Sequence, residues 1–198
     1  MPVTAEMVRI LRERSGAGVM DCKEALSACG GDVEKAIDYL RTKGLAAASK
    51  RAGRVASQGL VGSYIHLNGK IGVLVEVNCE TDFVAHTPEF QAFVKDMCMQ
   101  VAAANPQYLD RDSVPRDAME RERAIHAQQA RESGKPEHVV ERIVDGRMKK
   151  FYQEVCLLEQ PFVKDDKVSI EQLLKGKIAQ FGENIVIRRF CRFQLGTW

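Results

Sequence analysis

Residues able to carry covalent or metal chemistry are thinly spread along this chain. Its six cysteines stand singly, and its four histidines lie near no cysteine pair. Zinc sites and disulfide frameworks need paired or closely spaced cysteines, so neither is expected here. The sequence also lacks the nucleotide-binding and hydrolase motifs GxxxxGKS/T, GxSxG, HExxH, DFG and GxGxxG. We therefore expect no enzyme, no catalytic residue, no metal and no cofactor.

The most unusual local pattern is Thr81-Asp82-Phe83-Val84, which directly follows a predicted β-strand. Two interpretations are open. In one, Asp82 or Thr81 caps a short helical turn and Phe83 anchors that turn in the core. In the other, Phe83 is an exposed wedge for a hydrophobic crevice of a partner, with the negative charge of Asp82 beside it. The residue types alone favour the core anchor.

A second candidate is the pair Val19 and Met20, which follows Gly18 at the tip of a predicted loop. These apolar side chains either cap a small helical core or form an exposed recognition patch. Methionine suits the second role because its flexible thioether adapts to the groove of a partner.

Residues 1–43 are predicted to form three helices that position this pair. Thr4 and Asp32 are suitable N-cap residues for the first and third helices. The predicted helix stops are Gly16 with Gly18, Gly30-Gly31, and Gly44. Residues 44–59 are rich in alanine and glycine, with three basic residues and no acid. We interpret them as a basic linker at a domain boundary, in part helical.

Residues 60–198 are predicted to form an α+β core domain. Asn68-Gly69 separates two strand-like runs and is a strong hairpin signal. A helix is expected after Thr87-Pro88, with an inward stripe at Phe90, Phe93/Val94, Met97 and Val101. Further helices precede a final strand at residues 184–195. Together these elements predict a three-stranded antiparallel sheet packed with helices.

Composition limits the class of protein. The 198 residues include 45% hydrophobic and 28% charged residues, which is typical of a globular chain. The net charge of +2 is too small for a nucleic-acid footprint spread over the whole protein. Apolar stretches are too short for a membrane span, and the N-terminal residues lack the apolar region of a signal peptide. A cytoplasmic protein is expected.

Two segments resemble the elongation factor Ts family, whose members are guanine-nucleotide exchange factors of the GTPase elongation factor Tu. They are LRERSGAGVMDCKEAL (Leu11–Leu26) and EVNCETDFVAH (Glu76–His86). Ser15 and His86 depart from the usual pattern of the family, but the first keeps a hydroxyl and the second lies outside the TDFV core. The chain resembles a short form, which homodimerises instead of carrying a duplicated core subdomain.

The resemblance implies roles for particular residues. Thr81, Asp82, Phe83 and Val84 would enter the GTPase near its nucleotide, where Asp82 and Phe83 insert between two helices and displace the groups that hold Mg²⁺ and phosphate. The N-terminal domain would be ubiquitin-associated-like, and its residues Arg12, Val19 and Met20 would contact another face of the same GTPase domain.

The final strand is predicted to support a homodimer. Ile185, Ile187, Cys191 and Phe193 alternate onto one face, and an open apolar sheet must be covered or paired. A two-fold axis near this strand would place the two Cys191 residues close together. The alternative is that this face packs on the helices of the same chain.

Two other functions compete with the exchange factor. One is a ubiquitin-associated-like binding module joined to an unrelated body. The other is an RNA-binding protein that uses the basic linker together with Arg188, Arg189 and Arg192. Near-neutral net charge and few aromatic residues disfavour RNA, and no direct contact with nucleic acid is expected.

Overall fold

The computed structural model describes residues 3–134 and 136–196. The helices are α1 Ala5–Ser15, α2 Val19–Ala28, α3 Val33–Arg51, α4 Asp82–Ala85, α5 Pro88–Ala104, α6 Arg116–Glu132, α7 Glu137–Val155 and α8 Ile170–Phe181, with a 3-10 turn at Leu157–Glu159. The strands are β1 Gln58–His66, β2 Ile71–Cys79, β3 Pro161–Phe162, β4 Asp165–Ser169 and β5 Val186–Gln194. This is the predicted α+β class, with an N-terminal helical domain and a three-stranded antiparallel sheet.

Local capping starts the first and third helices as the sequence predicts. The Thr4 hydroxyl accepts a hydrogen bond from the Met7 backbone N–H at 3.2 Å, and Asp32 accepts one from Lys35 N–H at 3.1 Å. Gly16 ends α1 in the left-handed conformation, at φ 67°. The buried core of this domain is formed by Leu11, Cys22, Ala25, Leu26 and Ala36.

The prediction that Gly44 ends the third helix is wrong, because α3 continues to Arg51. The residues after Gly44 are alanine-rich, and the helix propensity of alanine outweighs a single glycine, which costs about 1 kcal/mol. The absence of a side chain at Gly44 is explained by packing instead. A Cβ at Gly44 would lie 3.1 Å from the Ala179 Cβ of α8. The first half of the expected linker 44–59 is therefore helical.

The sheet has the order β1-β2-β5, so β2 lies in the centre. Asn68 and Gly69 are the two central residues of the β1–β2 turn, both at positive φ, and the Lys70 N–H donates to the Leu67 carbonyl at 3.2 Å. This confirms the predicted hairpin. Sequence analysis did not predict the small antiparallel hairpin of β3 and β4 around Pro161.

Helix α5 covers one face of the sheet. Its predicted stripe is buried at Phe90, Phe93, Val94, Met97 and Val101, as are the β2 residues Val73, Val75 and Val77. The approach of β1 to α5 is close at Gly62, where a Cβ would lie 2.4 Å from Val94 Cγ1 and 2.9 Å from Cys98 Sγ. Glycine is therefore required at this position by packing.

We expect Gly62→Ala to lower the free energy of unfolding by about 1–3 kcal/mol, because an overpacked core forces its neighbours to shift. Val94 is β-branched and has little rotamer freedom with which to retreat. Chemical denaturation of both proteins measures the difference. Gly72→Ala is the matched control on the same hairpin, since its Cβ would meet Ile65 Cδ1 at an ordinary 3.4 Å. Equal losses in the two variants would contradict the packing explanation.

The described residues divide by their internal contacts into two compact units. The first contains the chain up to Leu60, Val77–Gln91 and Gln172–Val186, and the second contains Val61–Glu76, Ala92–Glu171 and the chain from Ile187 onward. The second unit includes α6 and α7, which pack along each other around Ala130, Val140, Val144 and Met148. The predicted domain boundaries at residues 43 and 59 stay a prediction.

Candidate partner-binding site

The segment Thr81–Val84 forms a sharp corner at the end of the central strand. The Thr81 hydroxyl accepts a hydrogen bond from the Val84 backbone N–H at 3.4 Å and caps α4. Ala85 is the buried residue of this single turn, whereas Phe83 is 85% exposed. The capping role expected for Thr81 is confirmed, but the interpretation of Phe83 as a core anchor is wrong. The turn directs its small residue inward and its aromatic residue outward.

His86 closes the same turn. Its ring Nδ1 lies 2.7 Å from the Asp82 carbonyl oxygen, and because a carbonyl only accepts, the proton is on Nδ1. The departure from the usual family residue at this position is thus accommodated by a local cap. Asp82 is exposed beside Phe83, so the corner presents an aromatic ring and a carboxylate together.

A carboxylate from a distant part of the chain anchors the base of the corner. Glu183 Oε2 accepts from the backbone N–H groups of Glu80 and Thr81 at 3.0 and 3.1 Å, and its Oε1 accepts from the Thr81 hydroxyl at 2.6 Å. Sequence reasoning missed this residue. It lies 102 positions from Thr81, and nothing in its neighbours Gly182 and Asn184 signals the contact.

The Cys79 thiol lies beneath the corner and is fully buried. It donates to the Thr81 carbonyl at 3.1 Å. Burial, reinforced by the negative charge of Glu183, raises the pKa of Cys79 to about 11. The thiol is therefore protonated at neutral pH and unsuited to nucleophilic chemistry. Among the described residues, no group of three or more His, Cys, Asp or Glu side chains could hold a metal ion.

The second candidate patch lies on the N-terminal helical domain. Val19 and Met20 are the first two residues of α2 rather than a loop tip, and they are 50% and 75% exposed. Gly18, the N-cap, precedes them without a side chain to cover them. The interpretation that they cap the small core is wrong. Arg12 is exposed on the last turn of α1. All three residues belong to the same compact unit as the Thr81–Val84 corner.

The face of the sheet opposite α5 is apolar and open. Its exposed residues are Val61 at 66%, Ile65 at 66%, Leu74 at 47% and Phe193 at 70%. Cys191 is half-buried on this face, and the Arg189 guanidinium pairs there with Glu76 at 2.6 Å. We call these five residues, Cys191 included, the open sheet face. Its members all lie in the second unit.

The predicted composition of this face needs one correction. Ile185 and Ile187, expected beside Cys191 and Phe193, are each only 2% exposed. Ile185 and Ile187 at the start of the strand therefore pack within their own chain, as the alternative interpretation expects. The later residues stay open.

Several basic residues considered for RNA have partners in the chain. Arg54 pairs with Glu80 at 3.6 Å, and Arg189 pairs with Glu76. The Arg192 guanidinium donates to the Ala102 carbonyl at 3.2 Å. The two carboxylate pairs reduce the positive charge available to a phosphate backbone, and the Arg192 contact directs its guanidinium toward α5. Across the described residues, no helix combines the length and apolar character needed to cross a membrane.

Comparison with known proteins adds independent information. The family model described as "Elongation factor TS" matches residues 34–197, and the "UBA/TS-N domain" model matches residues 16–40. Elongation factor Ts of Geobacter metallireducens is 62% identical over 196 residues, covering 99% of this chain and 91% of the relative. Elongation factor Ts of Thermoanaerobacter sp. (strain X514) is 61% identical, with coverages of 98% and 95%.

Proposed function

Since this chain belongs to the elongation factor Ts family of translation elongation factors, we propose that it is the guanine-nucleotide exchange factor of elongation factor Tu. It binds the GDP-bound GTPase in the cytoplasm and promotes release of the nucleotide. The observation that carries this proposal is Phe83, an aromatic ring that is 85% exposed on a corner anchored by hydrogen bonds.

The exposed ring suits insertion between two helices of the GTPase. An aromatic side chain buries about 150–250 Å² and prefers a desolvated pocket, so its exposure in the free protein leaves that free energy available for binding. Asp82 brings a negative charge alongside. GDP is held largely by contacts of its phosphates with the backbone and with Mg²⁺. A wedge that shifts the backbone and the Mg²⁺ ligands therefore lowers the affinity of the GTPase for GDP.

Exchange then follows from linkage between two ligands of one GTPase. If the bound factor lowers the affinity of the GTPase for GDP by some ratio, bound GDP lowers its affinity for the factor by the same ratio. The chain needs no catalytic group, because no bond of the nucleotide is made or broken.

Arg12, Val19 and Met20 provide a second contact with the GTPase in this proposal. Two anchor points on one compact unit restrict the orientation of the corner. The second contact thereby raises the effective concentration of Phe83 at its site.

We expect Val19→Ser combined with Met20→Ser to weaken binding to elongation factor Tu·GDP by about thirtyfold or more, since burial of two such side chains contributes roughly 2–4 kcal/mol. The melting temperature should stay unchanged, because both side chains are already exposed in the free protein. Titration calorimetry and thermal unfolding measure the two effects. Leu26→Ser on the same helix is the contrasting control and should lower the melting temperature, since Leu26 is fully buried. A large drop in the melting temperature of the double variant would show that Val19 and Met20 support the core of the helical domain.

We further propose that the chain is a homodimer joined through the open sheet face. Val61, Ile65, Leu74 and Phe193 form an apolar surface between the two edge strands, β1 and β5. Uncovered edges and apolar faces of this kind favour pairing with another chain. In a two-fold arrangement the same surface serves both copies. Cys191 lies within it, and packing rather than a disulfide holds the dimer.

The alternative of a ubiquitin-associated-like module on an unrelated body is wrong, because the family match extends over residues 34–197 and so includes the body. RNA binding stays a competing function with less support, given the ion pairs of Arg54 and Arg189.

The decisive experiment measures release of fluorescent GDP from purified elongation factor Tu, chased with unlabelled GDP, at increasing concentrations of this protein. The release rate should rise and then saturate. A rate identical to that of the GTPase alone would refute the proposed function.

A further inference from the structure

We propose that Glu183 is a positioning residue that holds the Thr81–Val84 corner in the shape that binds the partner. The contribution of Glu183 to nucleotide exchange rests on the proposed function. The residue itself makes no contact that the exchange mechanism requires. It acts through the backbone and hydroxyl of the residues that carry Phe83.

The geometry of Glu183 is that of a three-point acceptor. Its two carboxylate oxygens receive the Glu80 N–H, the Thr81 N–H and the Thr81 hydroxyl within 2.6–3.1 Å. Hydrogen bonds to an ionised acceptor are roughly twice as strong as neutral ones. The end of β2 is therefore fastened at two successive backbone positions and one side chain.

The same two segments make a second, reciprocal contact, in which the acceptor belongs to the end of β2 and the donor to the segment of Glu183. The Glu80 carboxylate accepts from the Asn184 backbone N–H at 2.6 Å and lies 3.6 Å from the Arg54 guanidinium. The Asn184 side chain, only 5% exposed, donates in turn to the Arg54 carbonyl at 2.8 Å. We call Glu80, Thr81, Glu183 and Asn184 the carboxylate clamp. It joins two segments that lie more than 100 positions apart in sequence.

The clamp determines how Thr81 can cap α4. A hydroxyl has a single proton, and that of Thr81 is given to Glu183 at 2.6 Å. The lone pairs of the oxygen are then available to the Val84 N–H, which is the bond that starts the turn carrying Phe83. Without the carboxylate, the hydroxyl can rotate and give its proton elsewhere. Glu183 thus couples the end of β2 to the orientation of the exposed ring.

The consequence is preorganisation. A corner that is already ordered in the free protein loses less conformational entropy when the GTPase binds. Loss of the clamp should therefore raise the concentration of factor needed for half-maximal GDP release by about tenfold, the equivalent of roughly one charged hydrogen bond. The maximal rate should change little, because Phe83 and Asp82 are still present.

The first arm of the test uses the free protein and does not involve the GTPase. Glu183→Gln keeps the shape of the side chain but removes the charge and replaces one of the two acceptor oxygens with an NH2 donor, so it cannot accept from both the backbone N–H groups and the Thr81 hydroxyl. Alkylation of Cys79 by iodoacetamide, followed by peptide mass spectrometry, should become about tenfold faster, because loss of the Glu183 charge lowers the pKa of the thiol and opening of the clamp exposes it. Hydrogen exchange at the Thr81 and Val84 amides should accelerate in parallel.

Glu159→Gln is the matched control. Its carboxylate also binds a partner, the Arg111 guanidinium at 2.7 Å, but in the other compact unit. This variant should leave Cys79 as unreactive as in the wild-type protein. Equal hydrogen-exchange rates at the Thr81 and Val84 amides in the two variants would overturn the clamp. If Glu183→Gln fails to fold by circular dichroism, Thr81→Val removes the hydroxyl while keeping the shape and tests the same bond, with Thr81→Ser expected to restore it.

The second arm measures GDP release from elongation factor Tu. A tenfold rise in the half-maximal concentration for both Glu183→Gln and Thr81→Val, without further loss when they are combined, supports the positioning role. The positioning role would be overturned if the first arm shows an opened corner but the concentration of factor for half-maximal GDP release is unchanged. A wild-type protein that releases no GDP refutes the proposed function and the role in exchange, whereas the first arm still decides whether the clamp exists.

Discussion

Replacing Phe83 with alanine should remove most of the stimulation of GDP release while leaving the chain folded. The ring is 85% exposed, so its loss creates no cavity and should leave the melting temperature unchanged. In the complex the same ring is the proposed wedge. Truncation of an aromatic anchor at the centre of an interface commonly costs 2 kcal/mol or more, which is about thirtyfold in affinity. Fluorescent GDP release and thermal unfolding measure the two quantities.

Two further variants show whether the effect depends on the ring. Phe83→Leu retains much of the apolar volume and should keep part of the activity. Val55→Ala truncates another exposed apolar side chain, 82% accessible and outside the corner, and should release GDP at the wild-type rate. Wild-type exchange by Phe83→Ala would exclude the wedge. Unfolding of that variant would mean that the ring supports the fold.

The parts of this structure that could be predicted from sequence depend on short-range contacts. Thr4 and Asp32 bond to groups three residues away, and the Asn68-Gly69 turn closes over a few residues. Such contacts are encoded by residue types at fixed spacing. The core stripe of α5 belongs to the same class, because a periodicity of 3.6 residues reports directly which side of a helix is buried.

The features that sequence reasoning missed depend on distant residues. Gly44 is typical of a helix stop, but its lack of a side chain serves the contact with Ala179, 135 positions away in the numbering of the chain. Glu183 is an ordinary acidic residue until the fold brings it to Thr81. The exposure of Phe83 is implied by the family resemblance but not by its residue type, which favours burial; the direction of the α4 turn decides between the two. The local motif located the candidate site, while non-local contacts determine its shape.

The open sheet face leads to the second large expected effect. Replacing Ile65 with aspartate should convert the proposed homodimer into a monomer, because each interface would then contain two buried, unpaired carboxylates related by the two-fold axis. An uncompensated buried charge commonly costs about 3–5 kcal/mol, which is roughly a hundredfold to several thousandfold in the dissociation constant. The free subunit should stay folded, since Ile65 is 66% exposed and the new charge would be solvated there.

Sedimentation equilibrium at micromolar concentration measures this directly against the 22.1 kDa mass of one chain. Val163→Asp is the matched control, since Val163 is also apolar and 48% exposed but lies between β3 and β4, away from the open sheet face. It should sediment as the wild-type dimer does. Cys191→Ser should also stay dimeric, because apolar packing over Val61, Leu74 and Phe193 supplies the association whether or not a disulfide forms. A wild-type protein of about 22.1 kDa, or a dimer that tolerates Ile65→Asp, would show that another surface or none joins the subunits.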